Sequence, residues 1–205
     1  KSLDFISVRE TYASALVRTL TETPVADVID PVLLTDPSDF DAITAQRRVR
    51  RDYLLTYFPI NPDRYTRQCA RAYAKRHGLK VVEVSCQPVD ALQNTTHTTA
   101  GIEDFLALVR GARAVFSNSL HGTCLSLLLH KEFYSFYRRR GEKYRNLLQK
   151  FELEDRFIER GRFAEAAPID WDKTDALRAR YRAQSLGWID RAMGAQGGAV
   201  REDIT

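Results

Sequence analysis

A chain of 205 residues, 44% apolar and 28% charged, is long enough for one sizeable α/β domain or for half of a two-domain enzyme, and it contains no low-complexity segment. Its net charge of +4 is carried mostly by arginine, without a long basic run interleaved with aromatics. That excludes nucleic acid as the default partner and leaves room for a local basic cluster facing an anionic substrate or anionic lipid headgroups.

Lys1 to Glu10 reads as a core strand from its third residue rather than as a leader, as in a piece that begins at a domain boundary. Strand Leu3 to Val8 ends at Arg9-Glu10, and Tyr12, Ala15, Leu16 and Leu20 follow at helical spacing. Val25 to Ile29 is a second strand closed by Asp30-Pro31. Asp36 to Asp39 carries helix-start chemistry for a segment running to Arg50. Tyr53 to Phe58 is a third strand. Asn61-Pro62-Asp63 then predicts a cap with proline at the first helical position and a helix to His77, with Gly78 beyond its end. Lys80 to Val84 is a strand of the kind buried on both faces, and residues 85 to 101 read as a long surface loop.

After a short helix to Val109 comes strand Ala112 to Phe116, a polar junction, and an apolar helix from Thr123 to His130. Strand Phe133 to Tyr137, the arginines Arg138 to Arg140, and a helix to Phe151 follow. A last helix spans about 171 to 193, before a glycine-rich tail over 194 to 205. The alternation predicts one Rossmann-like domain over residues 1 to 193, an α/β parallel sheet with helices on both faces. In such sheets ligands bind at the carboxyl ends of the strands. Arg9 and the junction Ser117 to Gly122 both occupy such ends. No stretch approaches the roughly 20 apolar residues that span a bilayer. Cys69, Cys86 and Cys124 lack paired or metal-ligand spacing, so a reducing compartment and no metal site are expected.

The junction concentrates the chemistry. Ser117, Asn118, Ser119 and Gly122 are small residues at a strand-to-helix turn, suited to presenting N–H groups and a helix N-terminus to an anion. His121 stands beside them with a side chain suited to moving protons near neutral pH. Cys124, on an apolar helix face, reads as a buried thiol.

Ser119-Leu-His-Gly122, preceded by Ala112 to Asn118 and followed by an apolar helix and Lys131-Glu-Phe133, strongly resembles the signature of the polysaccharide pyruvyl transferase family. Ile6 to Glu10, Asp30 to Leu34, Tyr53 to Tyr57, Glu103 to Leu106, Arg145 to Leu148 and Leu153 to Arg156 occur in the order that family uses. The resemblance implies the C-terminal, donor-binding half of a GT-B-like enzyme, with an N-terminal half expected in addition to this chain. It implies transfer of a pyruvyl group from phosphoenolpyruvate, the donor substrate, to two hydroxyls of a sugar or lipid-linked saccharide, with no further cofactor. Exopolysaccharide biosynthesis in the cytoplasm, with peripheral contact at the inner face of the membrane, is the setting it suggests.

On this reading His121 is the acid or base, with Glu10 as a second candidate. Arg9, the Asn118, Ser119, Leu120 and Gly122 segment, and Arg145 bind substrate. Some family members carry arginine where this chain has Ser119, which shifts weight onto Arg9 and onto Arg138, Arg139, Arg140 or Arg145. Two alternatives are a GT-B-type glycosyltransferase using a nucleotide sugar, and a noncatalytic carbohydrate-binding or scaffold domain.

Overall fold

The computed structural model describes residues 3–44, 52–84, 95–98, 100–137 and 141–199. Contacts sort the chain into two compact units, Lys1–Leu34 with Asp170–Thr205, and Thr35–Ile169.

In the first unit, strand β1 (Ile6–Val8) lies parallel to β2 (Val25–Asp27), joined by helix α1 (Thr11–Arg18). Buried Ser14 of α1 donates a short hydrogen bond to Asp27, and Arg18 reaches the Val25 carbonyl at 2.9 Å. A 3-10 turn, Pro31–Leu34, ends the segment, and the long final helix completes the unit through Ser185, whose hydroxyl accepts the Ile29 N–H at 3.1 Å. Among the described residues β1 and β2 pair only with each other, so Arg9 closes a strand of a two-stranded sheet, not one of the main sheet.

The second unit is built on six parallel strands: β3 (Tyr53–Tyr57), β4 (Lys80–Val84), β5 (Thr95–Thr98), β6 (Ala114–Ser117), β7 (Glu132–Phe136) and β8 (Phe157–Ile158). Their spatial order, β5-β4-β3-β6-β7-β8, is the order 3-2-1-4-5-6 of Rossmann sheets. Alternation along the strands puts Leu54, Phe116 and Tyr134 on one face and Leu55, Val115 and Phe133 on the other, all nearly inaccessible to solvent. Helix α2 (Arg64–Arg76) covers the first face with Cys69, Ala70, Tyr73 and Ala74. There Phe116 meets Tyr73 at 5.0 Å, Phe136 at 5.1 Å and Phe163 at 5.6 Å between ring centroids. On the second face lies α3 (Ile102–Gly111), tied by the Tyr53 hydroxyl to the Leu108 carbonyl at 2.6 Å. Helices α4 (Leu120–Leu128) and α5 (Glu142–Lys150) connect β6 to β7 and β7 to β8.

Several expected boundaries move. Pro37–Phe40 forms a 3-10 turn rather than opening a long helix, with the Asp36 N–H held by Asp39 at 2.8 Å; residues 45 to 50 lie outside the described segments. Asp63, not Asn61, caps α2 by accepting the Thr66 N–H at 2.8 Å, which leaves Pro62 outside the helix. The expected loop contains strand β5, since the threonines at 95, 96 and 98 suit an extended backbone; residues 85 to 94 are outside the described segments, as is Cys86 among them. Strand β8, preceded by a 3-10 turn over Glu154–Arg156, was not expected, being too short to show a period. The final helix, α6 (Trp171–Ala199), continues into the glycines expected to begin a tail. Arg138 to Arg140 lie outside the described segments. No helix among the described residues is long and apolar enough to cross a membrane.

Candidate functional site

From β3 the chain first builds outward through β4 and β5, then returns to the other side of β3 to add β6, β7 and β8. The connections leaving β3 and β6 therefore diverge, opening a crevice between their carboxyl ends, where ligands of such sheets bind. The junction between β6 and α4 lines this crevice.

Ser117, the last residue of β6, is buried and spans the two diverging strands. Its hydroxyl donates to the Tyr57 carbonyl at the end of β3 at 2.7 Å and accepts the Ser119 N–H at 3.0 Å. Ser119, extended at φ −108° and ψ 130°, caps α4 by accepting the Gly122 N–H at 3.3 Å. Thr123 donates from its hydroxyl to the Ser119 carbonyl at 3.1 Å and so accepts from Ser135 of β7 at 2.7 Å. The helix thus starts three residues before the expected Thr123, and Leu120, His121 and Gly122 form its first turn.

A helix leaves its first N–H groups without intrahelical partners. At α4 the Ser119 N–H is met by Ser117, the Gly122 N–H by Ser119, and the Leu120 N–H by the Tyr144 hydroxyl; that of His121 meets no acceptor among the described residues. The His121 N–H therefore stands at the positive end of the helix dipole. The His121 side chain is exposed and makes no hydrogen bond or ion pair among the described residues, which leaves both ring nitrogens for a substrate.

Asn118 fastens the site to its surroundings. Its Nδ2 donates to the Ile60 carbonyl at 2.7 Å, and its own carbonyl accepts from the Tyr144 hydroxyl at 2.6 Å. Its Oδ1 is buried and has no partner among the described residues. Burial pushes the Tyr144 phenol above its ordinary 10.0, with the Cys124 thiol adding to the effect, so it stays a neutral donor. Gly122 answers a demand for space: a Cβ there would lie 2.6 Å from the Ser117 Oγ and 3.2 Å from Tyr57 Cδ1. Cys124 is a buried thiol outside any disulfide, as expected.

The remaining expected site residues are held differently. Arg145, in the first turn of α5, pairs with Glu159 and lies over the Phe157 ring at 4.6 Å, while its neighbour Tyr144 is the residue that touches the junction. In the first unit, Arg9 makes a short ion pair with buried Asp30 and lies 3.8 Å from Glu10, which stands at the N-cap of α1. Ser117, expected only as one of the small residues of the junction, is its buried bridge, and Tyr144 was missed as a site-forming residue. The signal for Ser117 was a hydroxyl at the end of an otherwise apolar strand; for Tyr144 the sequence carries none, because its role comes from where α5 docks.

Fold and junction together define an α/β protein of Rossmann type with a serine-capped helix N-terminus at the switch point of its sheet. The chain belongs to the polysaccharide pyruvyl transferase family, whose family model matches residues 1–140, and that family is one of transferase enzymes. No curated protein sequence matches it. Among solved structures it is similar to the dodecameric iron-containing heptosyltransferase TibC in complex with ADP-D-β-D-heptose, at 11% identity and a TM-score of 0.34. That match covers 75% of this chain and 48% of the other, so the chain spans about half the length of that structure.

Proposed function

We propose that the protein transfers a pyruvyl group from phosphoenolpyruvate to two hydroxyls of a sugar, forming a cyclic ketal on a surface polysaccharide or its lipid-linked precursor. The observation that carries this reading is the exposed His121 imidazole in the first turn of α4, with the unmet His121 N–H beside it, in a chain of the pyruvyl transferase family. The donor's phosphate is received at the helix N-terminus, and its carboxylate by cationic groups of the enzyme.

His121 moves the proton. A proton is added to the methylene carbon of the enol, and the first sugar hydroxyl bonds to the adjacent carbon. The C–O bond to phosphate breaks with its electron pair on the phosphate, and the second hydroxyl closes the ketal. Of the two hydroxyl protons released, one balances the new methyl group and the other leaves on the phosphate. Glu10 is the second candidate for handling these protons. The reaction as proposed draws on no cofactor beyond the donor substrate. Its setting is the cytoplasmic face of the membrane, where lipid-linked acceptors are built, and a preceding half-domain supplies the facing wall.

The test is ligand-induced stabilisation of the full-length enzyme. Phosphoenolpyruvate is expected to raise the Tm, since a ligand that binds the native state stabilises it. Stabilisation by a nucleotide sugar and not by phosphoenolpyruvate would replace this reading with glycosyl transfer. His121→Ala is expected to lower turnover by about 10²–10⁴-fold, the worth of general acid–base help, with unchanged Tm because the side chain holds no contact that folding needs.

A further inference from the structure

We propose that a cleft at the outer edge of the six-stranded sheet, beside β8, binds the saccharide acceptor; this rests on the pyruvyl-transfer reading above. The cleft has a volume of about 680 Å³, within the range of small-molecule sites. Its polar lining comprises the carboxylates of Glu154, Asp155, Glu159 and Glu165 and the guanidiniums of Arg145 and Arg162.

Most of these groups are held in place by counter-charges. Glu159 lies between two arginines, with Arg145 on Oε1 and Arg162 3.6 Å from Oε2. Arg145 is flattened over Phe157, and Glu165 is held by Arg76 at 2.7 Å and His77 at 2.9 Å. A carboxylate offers about four lone-pair directions and a guanidinium five N–H donors, so each fixed pair keeps acceptors and donors to spare. Planar donor and acceptor groups in a fixed array match the adjacent hydroxyls of a sugar ring, each of which both donates and accepts. Charge settles the division of labour. The carboxylates here are matched by cations, Glu159 by Arg145 and Arg162, Glu165 by Arg76 and His77, and Asp155 by Arg156 at 3.5 Å, which suits an uncharged ligand, while the N-terminus of α4 favours an anion. The first turn of α5 links the two places, since Arg145 faces the cleft and Tyr144 bonds the Asn118 carbonyl at 2.6 Å. A saccharide lying along the cleft can extend toward the donor site over that turn.

The experiment is a titration of ¹⁵N-labelled full-length enzyme with methyl β-galactopyranoside, methyl β-glucopyranoside and methyl β-mannopyranoside, followed by NMR. Perturbed amides at Arg145 and along residues 154 to 166 are expected. Two variants weaken binding by about tenfold or more, the loss for a hydrogen bond to a charged group. They are Glu159→Ala, and Glu154→Lys, which changes an exposed side chain that makes no hydrogen bond or ion pair among the described residues. In both variants the Tm rise with phosphoenolpyruvate is unchanged. Absence of cleft perturbation with all three glycosides, or binding that both variants leave intact, overturns the proposal while the donor reading stands. Cleft binding in an enzyme that phosphoenolpyruvate does not stabilise overturns the pyruvyl-transfer reading, and the acceptor role falls with it.

Discussion

Replacing Gly122 by alanine tests how the junction is built. In an ordinary helix the change stabilises, by about 1 kcal/mol. Here the new Cβ would stand 2.6 Å from the Ser117 Oγ, and that hydroxyl cannot step aside freely, because it donates to the Tyr57 carbonyl and accepts the Ser119 N–H. Relieving the contact means breaking one or both bonds, at about 0.5–1.5 kcal/mol each, or shifting α4 against the sheet, an overpacking cost of about 1–3 kcal/mol. Set against the helix-propensity gain, the net effect is a loss of about 0–2 kcal/mol where an ordinary helix would gain about 1 kcal/mol. For a protein of this size each kcal/mol lowers the Tm by roughly 2–4 °C. Urea unfolding of the wild type, Gly122→Ala, Ser117→Ala and the double variant measures the coupling directly. Once the hydroxyl is deleted, the nearest remaining contacts are at 3.2 Å, so Gly122→Ala is expected to be nearly neutral in the Ser117→Ala background. A Gly122→Ala variant more stable than the wild type by the ordinary helix gain, or one with the same effect in both backgrounds, would refute the steric account.

Two further predictions concern stability. Ser119→Ala removes the cap of α4 and is expected to cost about 0.5–2 kcal/mol, measured by thermal unfolding. It should also weaken phosphoenolpyruvate stabilisation, because the turn that holds His121 and its N–H then frays. Glu132 pairs with Arg156, which is buried against the Tyr134 ring at 5.2 Å and also donates to the Ala167 carbonyl. Burial raises the Glu132 carboxyl above its ordinary 4.5, against the opposing pull of Arg156. The fold therefore favours the protonated acid: this contribution is complete below the unfolded-state value and is lost as pH rises through the folded one. Glu132→Gln removes the titration, so the Tm of the wild type minus that of the variant should fall as pH rises from about 4 to 7. A difference that grows over that range would contradict the assignment.

Much of the second unit was legible in the sequence. Leu54-Leu55 and Val82 to Val84 are apolar runs that only a strand covered on both faces can bury, and Gly78, at φ +63°, marks the helix end where it was expected. The placing of helix starts was less legible. Asp63 and Asn61 are both good caps, and which one serves depends on whether the Thr66 N–H can reach it. The junction showed the same ambiguity, because Ser117, Ser119 and Thr123 are all plausible caps by residue type.

By itself the sequence determined the alternation of strands and helices, the cluster of small polar residues before an apolar helix, and the histidine among them, because these follow from local periodicity and side-chain chemistry. Only the tertiary structure decided that β3 and β6 are neighbours with diverging connections, that Ser117 bridges them, and that β1 and β2 form a sheet of their own. Strand order is set by long-range packing of faces, and nothing in the local pattern encodes it. The structure likewise decided which N–H groups of the junction are already used, those of Ser119, Leu120 and Gly122.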